Sequence, residues 1–332
     1  MRTRAAYVFF AISCVLSLLI AGLPAAAQMN IFDKPAWEKE LRRVMWRHKS
    51  CLALGDFIWE VGTAEKIITR DFSLRGTPPS PETWLPLDDV SAFVFATYLL
   101  ERNKGVLDQT QIDALTMRSG FNAPMSESCS IATSVESCYG RLAAPRGEKG
   151  AFYYGPGHLQ KLAMDLDLGT YRDGDMRDEY GSYLTNYTRF QFQTMRMLDG
   201  LRMTPDNLSK LLRSIISGDL YMYEHLGENA VCLDPALCKD TKVLHAPAPR
   251  TRDYSLGHWV EKGRDGKVQA YSAAGASGIY VWISADKKYY GYVIPKDDGG
   301  TAPLGARTMG GMGCGQVMMR IVSHATAPRP KE

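Results

Sequence analysis

The chain has 332 residues, of which 45% are apolar and 23% charged, with a formal net charge of +3. That length and composition suit one large or two modest globular domains, and exclude a disordered chain, a collagen-like fibre and a coiled coil. No Lys/Arg-rich run is present to build the basic stripe that nucleic-acid binding needs, so no nucleic-acid partner is expected.

Residues 1–27 place Arg2 and Arg4 ahead of an apolar run, followed by Pro24 and the small residues Ala25-Ala26-Ala27 before Gln28. This is the layout of a secretory signal peptide, and the Ala-rich end and Pro24 argue for cleavage over retention as an anchor. Without Arg2 and Arg4, 37 basic residues face 36 acidic ones. No later stretch approaches the ~18–20 continuous apolar residues needed to span a bilayer. The mature chain is therefore expected to be periplasmic or secreted, with no stable membrane insertion after cleavage.

Export gives the six remaining cysteines a structural meaning, because thiols outside the cytosol pair. Cys129 with Cys138 and Cys232 with Cys238 are close in sequence and lie among Ser, Pro, Asp and Gly residues, as loop staples do. Cys51 and Cys314 remain, and their pairing ties the two ends of the chain together. With no Cys-x-x-Cys and no nearby His pair, no zinc site is expected. His48, His225, His245, His258 and His324 show no ligand spacing, so neither a metal ion nor a cofactor is expected.

A short amphipathic helix is expected around Trp37–Trp46, then strand material with a turn over Cys51–Gly62. The stretch Arg75–Pro86 is rich in Pro, Thr and Ser and reads as a loop. Val90–Leu100 is apolar nearly all round, which at this length predicts a buried helix, with Asp88 and Asp89 at its N-terminus. Thr204–Gly218 carries an N-cap Thr, a Pro in the first turn, a Gly stop, and apolar residues at 208, 211, 212, 215 and 216, one helical face. From Gly257 the period changes. Four short aromatic and β-branched runs, up to Pro295, predict consecutive antiparallel strands. Val317, Met318, Ile321 and Val322 predict a last helix over Gln316–Ala325. Strands at both ends and helices between them predict an α+β fold: one antiparallel sheet built from both chain ends, flanked by terminal helices, with an inserted helical lobe. The expected boundaries are 28–87 and 252–328 for the sheet subdomain and 88–251 for the helical one.

Four local motifs then support a family resemblance over most of the mature chain. Leu115-Thr116-Met117-Arg118-Ser119-Gly120-Phe121 is similar to a Leu-x-x-His/Met-Thr-Ser-Gly-Leu segment. Phe152-Tyr153-Tyr154-Gly155-Pro156-Gly157-His158-Leu159 resembles the segment carrying a Tyr-x-Asn motif. Gly200–Thr204 and the helix after it resemble a third segment, and Ala274-Gly275-Ala276-Ser277-Gly278 falls where a His/Lys-Thr/Ser-Gly motif enters a strand. In this order they resemble the β-lactamase/penicillin-binding-protein-like serine hydrolases, in particular the class C β-lactamase and esterase branch.

The resemblance implies a Ser at a helix N-terminus that attacks a carbonyl, a Lys three residues on that activates it, a Tyr that relays protons, and backbone N–H groups that hold the oxyanion. Residues i and i+3 share a helical face, so hydroxyl and amine touch. Counting back from Gly105 puts the two positions at Asp88 and Ser91; counting forward from Thr83 puts them at Asp89 and Ala92. Neither count yields Ser or Lys. Tyr154 stands at the Tyr position, Pro156 replaces the Asn, and Ala273 and Ala274 replace the charged and hydroxyl residues beside Gly275.

Each of these residues also has a structural reading. Asp88 and Asp89 suit a helix N-terminus on dipole grounds, Tyr154 suits aromatic packing, and His158 suits a buried hydrogen-bonded role. Ser91 is the one displaced nucleophile within reach of the motif. Ser284-Ala285-Asp286-Lys287 is a formal Ser-x-x-Lys, but it lies in a strand-to-strand turn. The expected function is an exported serine-hydrolase-fold protein that has lost the nucleophile and acts as a binding or structural protein of the envelope, with a small-molecule, cell-wall or ester ligand. The alternative is an active serine-type hydrolase of esters, amides or muropeptides with a rearranged site around Ser91, Asp88, Asp89 and Tyr154.

Overall fold

In the computed structural model, residues 35–73, 76–124, 129–142, 147–184, 189–247, 252–297 and 304–326 are described; the signal segment 1–27 lies outside them. The N-terminal part supplies α1 (Ala36–Arg47), α2 (Lys49–Leu52), β1 (Phe57–Gly62) and β2 (Ile67–Phe72). The middle supplies β3 (Leu85–Pro86), α3 (Val90–Arg102), α4 (Gln109–Leu115), α5 (Val135–Tyr139), β4 (Phe152–Tyr153), α6 (Gly157–Asp165) and α7 (Asp173–Leu184). It continues with β5 (Gln191–Phe192), β6 (Leu201–Met203), α8 (Pro205–Ile216), α9 (Met222–His225) and β7 (Val243–His245). The C-terminal part supplies β8 (Arg252–Tyr254), β9 (Trp259–Lys262), β10 (Val268–Ala274), β11 (Tyr280–Ser284), β12 (Tyr290–Pro295) and α10 (Leu304–Thr326).

Both chain ends contribute to one seven-stranded antiparallel sheet, in the order β2-β1-β12-β11-β10-β9-β8. The joint between the ends is β1 against β12, in register from Phe57 opposite Pro295 to Gly62 opposite Tyr290. Both faces of the sheet are covered, so β1, β11 and β12 are buried throughout, and successive side chains go to different cores. Trp59, Tyr280, Trp282 and Val293 pack with Leu41, Met45, Met318 and Val322 of the terminal helices α1 and α10. Ile58, Ile283, Tyr290, Tyr292 and Ile294 pack with the lobe, whose core includes Phe95, Leu99, Leu211 and Ile215.

A carboxylate joins sheet and lobe. Glu60 is fully buried on β1; it accepts from Ser209 of α8 and Tyr290 at 2.5 Å each and from Tyr292 at 3.0 Å. Arg70 of β2 is its ion-pair partner at 2.5 Å. A buried charge persists only when paired and fully hydrogen-bonded, and these partners meet that condition.

The helix expected over Thr204–Gly218 forms as α8. Thr204 Oγ1 accepts from Asn207 N at 3.2 Å, Pro205 is the first residue, and Gly218 adopts φ +82° just past the end. The cysteines pair as expected. The Cα atoms of Cys51 and Cys314 are 4.8 Å apart, those of Cys129 and Cys138 4.8 Å, and those of Cys232 and Cys238 6.0 Å.

Three local readings change. Cys51 sits in the short helix α2, not in a strand; the chain straightens only at Phe57. Tying Cys51 to α10 needs the chain to remain folded over the sheet face there. Strand β2 has no counterpart in the sequence reading, because at the sheet edge it buries only Thr69 and shows no clean alternation. Helix α10 begins at Leu304, well before Gln316. Its first half holds Gly310, Gly311, Gly313 and Gly315, poor helix formers. Added Cβ atoms would overlap the Gly278 backbone at 311 and the Tyr280 ring at 315, so close packing on the sheet accounts for two of these glycines.

Candidate functional site

Helix α3 points its N-terminus at the junction between sheet and lobe. Its body is buried from Val90 to Leu100, which fixes where the residues before it lie. Asp88 adopts φ +45°, a left-handed conformation tolerated by Asp, and both Asp88 and Asp89 are half-buried. Neither carboxylate caps the helix: Asp89 is the N-cap residue and makes no side-chain cap bond. Asp89 Oδ2 instead accepts from the Tyr154 hydroxyl at 3.0 Å. Asp88 Oδ2 accepts from the Ser277 backbone N–H at 2.6 Å, in the turn between β10 and β11. The Asp88 side chain lies directly over Gly275, where a Cβ would collide with it and with Ile279 Cγ2.

The side chains packed around Tyr154 are aromatic. Tyr154 stacks on Trp259 with ring centroids 5.5 Å apart, and Tyr254 meets both edge-on, at 5.6 Å from Tyr154 and 4.8 Å from Trp259. Arg252 lies over the Trp259 ring at 4.5 Å. Tyr254 is 1% exposed, and its hydroxyl has no hydrogen-bond partner among the described residues.

Burial raises the proton affinity of Asp88, and raises that of Asp89 further, with the charges of Asp199 and of the neighbouring aspartate adding to it in Asp89. The Tyr154 hydroxyl bond and the more distant Arg196 act against that rise in Asp89. Tyr154 is itself pushed well above the usual phenol range, by burial first and then by the Asp89 charge. At neutral pH Tyr154 is thus a neutral donor.

The other residues singled out in the sequence lie apart from this pair. Ser91 is fully buried, and its Oγ accepts from Leu201 N at 3.1 Å, linking α3 to β6. Ala92, one turn after Asp89, is also enclosed, and Gly257 packs on its carbonyl. Ala274 is buried at the end of β10. Ser284 donates to Asp286 at 2.6 Å while Lys287 reaches the Tyr223 carbonyl at 2.5 Å, so the formal Ser-x-x-Lys pair never meets. His158 is buried in the first turn of α6. Its Nε2 faces the Tyr153 carbonyl at 2.9 Å and must carry the proton, so its Nδ1 accepts from Ser119 Oγ at 2.7 Å. Burial lowers its pKa to about 4, which keeps the ring neutral. The contributions of Ser119, Tyr254, Trp259 and Arg252 are not visible in one sequence, since each belongs to a segment far from Asp89. The aromatic run around Trp259 was a faint signal.

No protein-family model and no curated protein matches the chain. Solved structures do. D-amino acid amidase from Ochrobactrum anthropi, complexed with L-phenylalanine amide, matches with a TM-score of 0.60 at 10% identity over 88% of this chain and 99% of that one. The octameric penicillin-binding protein homologue from Pyrococcus abyssi matches at 0.57 and 12% identity, over 84% and 77%. A β-lactamase from Mycobacterium bovis matches at 0.52 and 12% identity, over 84% and 99%. The chain has the α+β fold of the β-lactamase/penicillin-binding-protein-like serine hydrolases.

Proposed function

We propose that this chain is an exported member of that fold which has lost the serine route and works by binding a ligand in the Asp88–Asp89–Tyr154 recess. The observation that carries this reading is the Asp89–Tyr154 hydrogen bond at the α3 N-terminus. In the resembling family a Tyr serves the nucleophilic Ser. Here its partner is a carboxylate, which favours the count that makes Asp89 the replaced Ser and Ala92 the replaced Lys. A carboxylate is a poor nucleophile toward esters and amides, and its charge repels the oxyanion. The Ser277 N–H, beside Gly275 where an oxyanion would be held, is already taken by Asp88. The burial of Ser91 and its contact with Leu201 N–H support leaving it out as a substitute nucleophile. Export is supported by the signal-like segment and by three cysteine pairs at bonding distance.

A second reading rests on one observation. Asp89 has a raised proton affinity beside a Tyr hydroxyl, the environment in which a carboxyl serves as general acid or base. In that reading Asp89 activates water on an ester, amide or muropeptide. Turnover of p-nitrophenyl esters and nitrocefin separates the two. The binding reading predicts none above buffer; turnover abolished by Asp89→Asn establishes the second.

A further inference from the structure

The outer layer formed by α1, α2 and α10 carries an uneven charge. Helix α1 turns Leu41 and Met45 toward the sheet, so its opposite face looks outward. Lys39, Arg43 and Arg47 are exposed there and recur every four residues, which makes them one stripe, and exposed Lys49 follows in α2. Glu40 is the only exposed acid on these two helices, and it pairs with Arg43 at 2.6 Å. Lys39, Arg47 and Lys49 form no ion pair among the described residues. Four cations therefore face one acid, although the chain after residue 27 is balanced to within one charge. A second observation is apolar. A groove of about 610 Å³ runs between α1 and α10, lined by Trp37, Val317, Ile321 and Ala325, with Arg320 and His324 beside them. At 100° per residue Trp37 and Trp46 fall on opposite flanks of the cationic stripe, and both rings are partly exposed. Arg320 also borders the next cleft, where Lys267 faces Asp265 and Asp286, so the charge excess rests on α1 and α2.

We infer that the α1–α10 face docks on an anionic phospholipid surface. Lys39, Arg43, Arg47 and Lys49 meet the lipid phosphates, each such cation contributing about 1 kcal/mol at an anionic membrane. Trp37 and Trp46 enter the headgroup layer, where an indole keeps its ring in apolar surroundings and its N–H near water. The groove between the helices receives the upper part of an acyl chain. A soluble polyanion would satisfy the cations but would leave the groove and the two rings in water, and for that reason a bilayer is the better match. The contact is peripheral, since no helix among the described residues is long and apolar enough to cross a membrane. It lies on the far side of the sheet from the lobe and does not depend on what the recess binds.

The test is co-sedimentation of the mature protein with vesicles of phosphatidylcholine alone and of phosphatidylcholine with about one-third phosphatidylglycerol. The anionic vesicles are expected to bind at least ~10-fold more tightly, and added salt should weaken them. The double variant Lys39→Gln with Arg47→Gln, both exposed and unpaired, should weaken that binding at least ~10-fold, and a thermal melt shows that its fold is retained. Phosphatidylglycerol brominated on its acyl chains should quench tryptophan fluorescence. Trp59, Trp259 and Trp282 are buried, so the quenching should be lost in Trp37→Phe with Trp46→Phe. Equal binding to both kinds of vesicle, undiminished binding by the folded Lys39→Gln, Arg47→Gln protein, or binding without quenching overturns the inference. The last of these results would mark a face that takes any polyanion, as would equal affinity for soluble dextran sulfate. None of them bears on the loss of the serine route, which is overturned only by hydrolysis or covalent labelling.

Discussion

Gly275 and Asp88 fit into one another: a Cβ at 275 would overlap the Asp88 side chain, whose carboxylate takes the Ser277 N–H at 2.6 Å. The absence of a side chain at Gly275, just after β10, is therefore what admits Asp88 to the Ser277 N–H. Gly275→Ala should displace Asp88 and cost about 1–3 kcal/mol, the usual range for overpacking. Part of this cost should return in the double variant with Asp88→Gly, which removes the Asp88 Cβ that lies nearest. A urea-denaturation double-mutant cycle measures it, and an interaction energy near zero would show that the two residues do not compete for the space.

Ser91 is a structural residue in this account. Ser91→Ala leaves the buried Leu201 N–H without an acceptor and should cost about 1–3 kcal/mol in denaturant titrations. Full stability of the Ser91→Ala protein would show that the Leu201 contact is not what Ser91 is buried for.

Glu60 holds the lobe on the sheet through Ser209, Tyr290, Tyr292 and Arg70. Glu60→Ala removes the acceptor shared by Arg70, Tyr290 and Tyr292, leaving Arg70 with Asp206 alone, and should cost on the order of 3–5 kcal/mol, the range for breaking a buried pair. The midpoint of chemical denaturation reports it. A change below ~1 kcal/mol would mean that the network is not what joins the two parts.

Two histidines make stability depend on pH. Burial lowers both His158 and His258 to about 4. The unfolded chain takes up these protons near pH 6.5 and the folded chain only near 4, so stability falls as pH drops from about 6.5 to about 4. Each histidine contributes on the order of 3 kcal/mol across that window. Asp88 and Asp89, whose folded-state affinity for protons is raised, act in the opposite sense as their own protons bind. The measurement is therefore the difference in slope between the unmodified protein and His158→Gln. The variant should lose less stability between pH 6.5 and 4; an equal loss would contradict the assignment.

Much of the fold was legible because its signals are local or periodic. Thr204 and Pro205 announce α8, and the C-terminal strands carry their β-branched and aromatic residues with turns between them. The Cys51–Cys314 link follows once one sheet joins both chain ends. Cys51 itself was misread because CLALGDFIWEVG is apolar apart from Asp56 and Glu60, and only packing distinguishes its helical first residues from the strand. The glycine-rich start of α10 was hidden for the same reason: the sheet surface, not propensity, makes it helical. At the site, Tyr154, Asp88 and Asp89 stood out through their motifs, but counting left two registers open. The contacts of Tyr154 with Asp89 and of Ser277 with Asp88 are tertiary, and so are the places of Tyr254 and Trp259. No spacing along the chain encodes them.

The central claim is that no activated serine faces the recess. Its most direct test is intact-mass analysis of the mature protein after incubation with a fluorophosphonate, and separately with benzylpenicillin, followed by peptide mapping. The account predicts the unmodified mass in both cases. A stoichiometric adduct on a serine of the recess, abolished by replacing that serine with alanine, would contradict it.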